Sequence, residues 1–99
     1  MSRGPDIGTR LARALEASGP GVAVTGRSVT RWASVTFTGA RHEIDCTAPA
    51  SPALEQWFAD LPETEFAFPG HLVADLTIAG MTATPERIDF RIEALTVET

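Results

Sequence analysis

The sequence predicts an α+β fold in which a helix-strand-strand unit occurs twice and forms one antiparallel sheet of four to six strands, with both helices packed on one face. Three observations predict it. Residues 33–39 are echoed by residues 74–80, with Ala, Thr and Gly at the same spacing. Two segments show the period of amphipathic helices, and the segment after each alternates as strands do. Because 99 residues support one modest core, we expect repeats at about 6–48 and 51–98 to share it, as a single domain over 1–99.

The first helix is predicted over residues 7–18. Leu11 and Leu15 belong to an apolar stripe with helical spacing, and Asp6 can accept hydrogen bonds from the free backbone N–H groups of the first turn. We expect Gly19 to adopt the left-handed conformation that ends many helices. The proline that follows cannot extend the helix, so the chain should turn there.

The first hairpin is predicted from strands at residues 21–38 and 41–48, which are joined by a tight turn at residues 38–41. Residues 25–28 interrupt the first strand. They are expected to form either a bend within one strand or a turn between two short strands. This choice is the reason for the predicted range of four to six strands.

The second strand of that hairpin carries four residue types that chemistry uses. His42 and Cys46 are expected to face one side of the sheet, and Glu43 and Asp45 the other, because successive side chains of a strand alternate. The four residues therefore cannot form one site. The chain also lacks the paired Cys or His spacing of a zinc centre, so we predict no metal and no cofactor.

The second unit is predicted to begin with Ser51 as the N-cap of a helix that ends near Leu61. The apolar face of this helix consists of four large side chains: Leu54, Trp57, Phe58 and Leu61. Residues 63–70 are then expected to be extended, with Phe66 and Phe68 on the same side.

Two further strands complete the predicted sheet. The side chains expected to face away from the core in the strand at residues 71–79 are His71, Val73, Asp75 and Thr77. In the last strand, Leu95 and Val97 break the alternation of apolar and charged residues. Either a bulge near Ala94 or burial of the strand's second side by a partner would explain this break.

Composition limits the classes of partner. The net charge of −5 and the scattered arginines argue against nucleic-acid binding, which needs clustered basic residues. Residues 1–50 carry six arginines against four acidic residues, a net +2, and residues 51–99 carry two against nine, a net −7. The two halves could therefore attract each other within or between subunits, or form an uneven solvated surface.

The chain has no apolar run that would span a bilayer, no signal at residues 1–6 and one cysteine, so we expect no membrane partner and a cytoplasmic location.

Four residues are candidates for a ligand site or an interface: Trp32, His71, Asp75 and Arg91. Trp32 falls among outward-facing polar positions, where it is expected at a subunit interface, at a ligand pocket near the sheet edge, or under residues 63–70. The other three are expected on the outer sheet face. A solvated face with ion pairs between strands accounts for them more simply than a site does.

The favoured function is a non-enzymatic module that self-associates, most simply as a homodimer. No nucleophile elbow, P-loop, dinucleotide fingerprint or zinc-protease motif occurs, so no catalytic residue is assigned. Pairing of edge strands or of outer sheet faces would protect a sheet that is covered on one side only. The alternative is a small-molecule-binding protein or enzyme, with a polar site on the sheet face or a pocket between the second helix and the sheet.

Overall fold

The computed structural model of the protein describes residues 6–99. Residues 1–5, on which most of the expectation of no signal rests, lie outside the described residues. The elements in chain order are α1 (Ile7–Ser18), β1 (Ala23–Ala33), β2 (Thr38–Pro49), α2 (Pro52–Asp60), a 3₁₀ helix (Leu61–Glu63), β3 (His71–Ala83) and β4 (Arg87–Glu98). The α+β class with an antiparallel sheet is confirmed, and the sheet has four strands.

The strands lie in the order β1-β2-β4-β3, and every neighbouring pair is antiparallel. The two hairpins therefore lie side by side, with β2 and β4 in the centre and their turns at opposite ends of the sheet. We name the two ends by a row of paired residues in each. At the Trp32 end the row is Trp32, Gly39, Val97 and Leu72, and at the Phe90 end it is Val24, Cys46, Phe90 and Met81.

The helix starts follow the predicted capping chemistry. The Asp6 carboxylate accepts a hydrogen bond from the Thr9 backbone N–H at 2.8 Å, and the Ser51 hydroxyl accepts one from the Leu54 N–H at 3.0 Å. Both bonds satisfy N–H groups that have no partner inside the helix. The bounds of the first helix are confirmed, and α2 ends one residue before Leu61, where the 3₁₀ helix begins.

The predicted left-handed conformation of Gly19 is wrong. Gly19 is extended, with φ −86° and ψ 137°, and Gly21 has the positive φ, at 71°. Glycine is needed at position 19 for space instead, because a Cβ there would collide with the Val22 side chain.

The turn of the first hairpin lies at residues 34–37, so the prediction of a turn at residues 38–41 is wrong. The Ser34 N–H donates to the Phe37 carbonyl at 2.7 Å, and the Ser34 hydroxyl accepts from the Phe37 N–H at 3.1 Å. The second hairpin closes in the same way, since the Thr84 hydroxyl accepts from the Arg87 N–H at 3.1 Å. A hydroxyl that bonds its own backbone stabilises a turn without the glycine we relied on.

The position of this turn also means that the two similar segments, residues 33–39 and 74–80, do not align in the structure. Residues 33–39 contain the first turn, whereas residues 74–80 lie inside β3. The two segments thus do not occupy equivalent positions. The duplication itself stays a prediction.

Both edge strands are irregular. In β1 the register shifts between Val24 and Gly26, so residues 25–28 continue one strand. In β3 the register shifts twice, between Val73 and Asp75 and between Ile78 and Gly80. A bulge of this kind reverses the side on which later residues point.

The buried core joins residues of both helices to the central strands. Its members are Leu11, Leu15, Val22, Ile44, Cys46, Ala48, Leu54, Leu61, Leu76, Phe90, Ile92 and Ala94. Aromatic rings pack at the Phe90 end, where the Phe58 and Phe90 centroids lie 4.8 Å apart and those of Trp57 and Phe90 5.9 Å apart. Phe66 and Phe68 stack in parallel at 6.0 Å, which confirms that they lie on the same side. Within residues 6–99, the helices are too short or too polar to cross a membrane.

Candidate functional site

The end of β4 carries apolar side chains on the face away from the core. The β2–β4 pairing runs from Gly39↔Val97 to Pro49↔Arg87 without a register shift, so the predicted bulge near Ala94 is wrong. Strict alternation therefore continues, with Thr96 fully buried and its neighbours Leu95 and Val97 on the opposite, outer face.

Trp32 lies on this outer face, directly against the backbone of β2. It pairs with Gly39, and a Cβ at Gly39 would lie 2.7 Å from the Trp32 Cζ2 atom and collide with the Thr96 carbonyl oxygen. The indole ring therefore occupies the space that any side chain at position 39 would need. An aromatic side chain that covers a cross-strand glycine is a recognised means of stabilising strands.

Trp32 does not lie under residues 63–70, so that predicted location is wrong. Phe68 forms a bridge with His71 at the start of β3, and β3 and β1 are opposite edges of the sheet. The Trp32 Nε1 atom is buried and has no hydrogen-bond partner within residues 6–99. A buried N–H without a hydrogen-bond partner lowers the stability of the folded protein. We therefore take Trp32 as the centre of the candidate site.

A hollow of about 290 Å³ opens beside Trp32, and its lining residues are Thr30, Trp32, Arg41 and Leu95. Three of them belong to the next cross-strand row, which is Thr30, Arg41, Leu95 and Asp75. Arg41 and Asp75 are both exposed, and neither forms a salt bridge within the described part of the chain. One row thus carries two unpaired opposite charges on either side of a leucine.

Further apolar side chains extend this surface. Leu72 is 57% exposed, and Phe37 is 56% exposed in the turn next to the Trp32 row. Val35, at the tip of the same turn, is fully exposed. We define the outer apolar surface as Trp32, Phe37, Leu72, Leu95 and Val97. Contiguous apolar side chains of this kind usually mark an interaction site, whereas single ones are ordinary.

The opposite side of the Trp32 end is polar. His42 is 2% exposed, and its Nε2 atom lies 2.9 Å from the Thr96 hydroxyl. That hydroxyl donates to the Ala40 carbonyl at 3.4 Å, so it accepts from the His42 Nε2–H. Burial lowers the pKa of His42, the Asp6 carboxylate raises it, and the charges of His71 and Arg27 lower it.

His71 belongs to this inner side, and its predicted position on the outer face is wrong. It pairs with Glu98 on the side of β4 that carries Thr96, and its Nδ1 atom is buried without a hydrogen-bond partner among residues 6–99. Val73 also faces inward, against the core. The physical reason is the register shift between Val73 and Asp75, which we did not foresee: it leaves Asp75 outward and reverses the sides of the residues before it, so that His71 and Val73 face inward.

Arg91 lies on the outer face, as predicted, within a group of ionic contacts. Its Nε atom is 2.8 Å from Asp45 Oδ1, and its Nη1 atom is 3.7 Å from Glu43 Oε1. The hydrogen bond to Asp45 and the two negative charges raise the pKa of Arg91. The structure thus brings Arg91 to carboxylates of the neighbouring strand, and separates it from His71 by the sheet.

Cys46 and the space between the second helix and the sheet, two other places considered for a site, are both part of the packed core. The Cys46 thiol is buried, and burial raises its pKa to about 12, so it is not a thiolate at neutral pH. The Phe58 ring occupies the space between α2 and the sheet at Phe90. No three His, Cys, Asp or Glu side chains of the described chain are placed to hold a metal ion.

Sequence reasoning missed several residues of this surface. Gly39 was predicted in a turn and Phe37 within a strand, and neither Leu72 nor Arg41 was among the candidate residues. The signal that pointed to the surface was the broken alternation at Leu95 and Val97, together with Trp32 on the outward parity.

Comparison of the chain with protein-family models, with curated proteins and with solved structures gives no match.

Proposed function

We propose that the protein is a non-enzymatic interaction module that self-associates as a homodimer through the outer apolar surface at its Trp32 end. The observation that carries this proposal is the Trp32 ring on Gly39, in a row with Val97 and Leu72 on the face away from the core. Tryptophan is among the most frequent anchors of interfaces. A second chain would bury the surface without disturbing the core.

Face packing is favoured over pairing of sheet edges. The edge strands β1 and β3 contain one and two register shifts, respectively. Such irregularities interrupt the row of free backbone groups that a further strand would bind, and proteins use them to prevent edge-to-edge association. The outer face of the central strands, in contrast, is regular along its whole length.

The order of residues within the rows favours a second copy of the chain as the partner. A two-fold axis parallel to the strands lays β1 over β3 of the second copy, and β2 over its β4. Trp32 then covers Leu72 of the second copy, and Val97 of the second copy lies over Gly39, against the indole ring that covers this glycine. In the next row, Arg41 lies over Leu95 of the second copy, one strand from its Asp75, so the arginine side chain can reach that carboxylate. By symmetry this contact occurs twice in the dimer.

The size of the surface sets the expected strength. Strands about 4.8 Å apart and residues about 3.3 Å apart give the outer apolar surface an area of roughly 250 Å². Stable complexes bury roughly 800 Å² per partner, so this contact alone supports a weak dimer. We expect a dissociation constant in the micromolar range, which sets the concentrations to be tested.

The test is the oligomeric state of the protein by light scattering on a sizing column, at about 10 to 300 µM. We expect a dimer at the upper concentrations, and a folded monomer for Trp32→Ala. Val29→Ser is the matched control, because Val29 is exposed on the same strand but pairs with His42 on the other face. A wild-type monomer throughout, or equal dissociation of both variants, would overturn the proposal.

We also infer that the two units arose by duplication and that both helices cover one face of the sheet. The order helix-strand-strand occurs twice, and both hairpin turns close through a hydroxyl group. The core cluster joins leucines of both helices to inward residues of β2 and β4. The repeated order and the similar turns support a duplicated unit with a different alignment from the predicted one, and the shared core supports two helices on one face.

A further inference from the structure

The polar group behind the outer apolar surface has a charge that depends on pH. Three ionisable groups act on the buried His42 ring, which bonds Thr96: His71 from β3, Arg27 from β1 and Asp6 at the start of α1. With both histidines neutral, Arg27 and Asp6 sum to zero. Protonation of His42 adds a positive charge to this group.

The structure offers little to neutralise that charge. Asp6 is the one carboxylate among the groups that act on His42, and it is exposed and already accepts the Thr9 N–H as the helix cap. Glu98, which pairs with His71, forms an ion pair with Arg31. The Arg27 guanidinium is held nearby, since its Nη1 atom donates to the Thr9 hydroxyl at 3.1 Å. A protonated His42 would therefore lie buried among like charges, which is strongly unfavourable.

The histidine is connected directly to the proposed interface. Thr96, which accepts the His42 hydrogen bond, stands between Leu95 and Val97 in β4, and these two side chains lie on the outer face. The Thr96 hydroxyl also bonds the Ala40 carbonyl of β2, next to Gly39 on which Trp32 lies. If this end of the sheet opened to hydrate the histidine, the outer apolar surface would be dismantled.

We propose that the His42–Thr96 pair is an acid-sensitive latch, whose protonation opens the Trp32 end of the sheet and so releases the second copy of the chain. The release of the second copy rests on the proposed function, whereas the opening of the sheet does not. The sign follows from the burial of His42. Its pKa is lowered in the folded protein, so the unfolded chain binds more protons below about pH 6.5, and stability falls as the pH falls through that value.

The first experiment measures the dissociation constant of self-association by sedimentation equilibrium between pH 8 and pH 5. We expect affinity to fall at least about tenfold over this range in the wild type. His42→Gln retains a side-chain N–H for Thr96 but cannot titrate, and its affinity should change far less. His71→Gln leaves the His42–Thr96 bond in place, so it should retain most of the wild-type pH dependence. Equal pH dependence of the wild type and both variants would overturn the latch.

The second experiment separates the latch from the proposed dimer, and it also serves if His42→Gln fails to fold. Hydrogen exchange is followed on wild-type protein at low concentration, where it is monomeric, at pH 7.5 and pH 5.5. Protection factors of the amides of residues 95–98 should fall at pH 5.5, while those of residues 88–92 at the Phe90 end stay unchanged. A uniform change, or a His42 pKa at or above 6.5 by NMR, would contradict the latch whatever the oligomeric state.

Discussion

The two ends of the sheet have the same topology and opposite chemistry. At the Phe90 end, apolar side chains lie inside, with the Trp57 and Phe58 rings on Phe90, and the neighbouring outer row holds the Asp45–Arg91 contact. At the Trp32 end, the polarity is reversed. His42 and Thr96 lie inside, and large apolar side chains lie outside.

The hairpin turns show the same contrast. Both close through the hydroxyl group of their first residue, Ser34 in one and Thr84 in the other. The turn at the Trp32 end presents Val35 and Phe37, and the other presents proline and glutamate, which are usual in turns. Topology thus sets where each hairpin lies, while side chains decide which end holds the fold together and which end is available to a partner.

The largest expected effect is the loss of the aromatic cluster that anchors the Phe90 end. Phe90→Ala removes a buried ring that contacts both Trp57 and Phe58, and it should cost about 3–5 kcal/mol of the free energy of unfolding. Urea denaturation followed by circular dichroism measures the loss. If Trp32→Ala cost as much in the monomer, the proposed division between a core end and an interaction end would be wrong.

A smaller effect is expected from a methyl group at the Trp32 end. Gly39→Ala places a Cβ against the Trp32 ring and the Thr96 carbonyl, and it should destabilise the protein by about 1–3 kcal/mol. Gly80→Ala is the matched control, because Gly80 lies in β3 with no atom near its Cβ position. The two unfolding curves should separate clearly. Equal stability of the variants would mean that Trp32 does not lie on Gly39.

The structure also shows how far the sequence determines these features. Helical spacing and capping residues predicted α1 from Ile7 to Ser18, and strict alternation predicted the inward residues of β4. Both rest on local, repeated signals. The turn at residues 34–37 was missed because Gly39 has the residue type of a turn, but here it makes room for an aromatic ring across the strands.

The candidate site was only partly predictable for a related reason. Trp32, Asp75 and Arg91 were placed on the outer face by parity, but His71 was not, because the register shift in β3 has no local sequence signal that we recognised. The row that joins Arg41 to Asp75 depends on strand order. Strand order is a property of the whole sheet, and alternation within one strand does not contain it.

The smallest expected effect concerns the charged side chains on the outer face of the Phe90 end. Asp45→Asn removes the 2.8 Å contact with Arg91, but both side chains are about half exposed and water screens their attraction. The midpoint of urea unfolding should shift only slightly, and not at all in about 0.5 M salt. Self-association should be unchanged. A change in the dissociation constant would show that the interface extends beyond the Trp32 end.

The central claim, that a second copy of the chain covers the Trp32 end, is tested most directly by exchanging the two unpaired charges of one row. Arg41→Asp and Asp75→Arg should each weaken self-association at least about tenfold, because each brings like charges together at both contacts. An equimolar mixture of the two variants restores opposite charges at both contacts. Sedimentation equilibrium of the mixture should therefore recover a heterodimer of near wild-type affinity. Two variants that remain monomeric when mixed, or that dimerise as well as the wild type alone, would contradict the account.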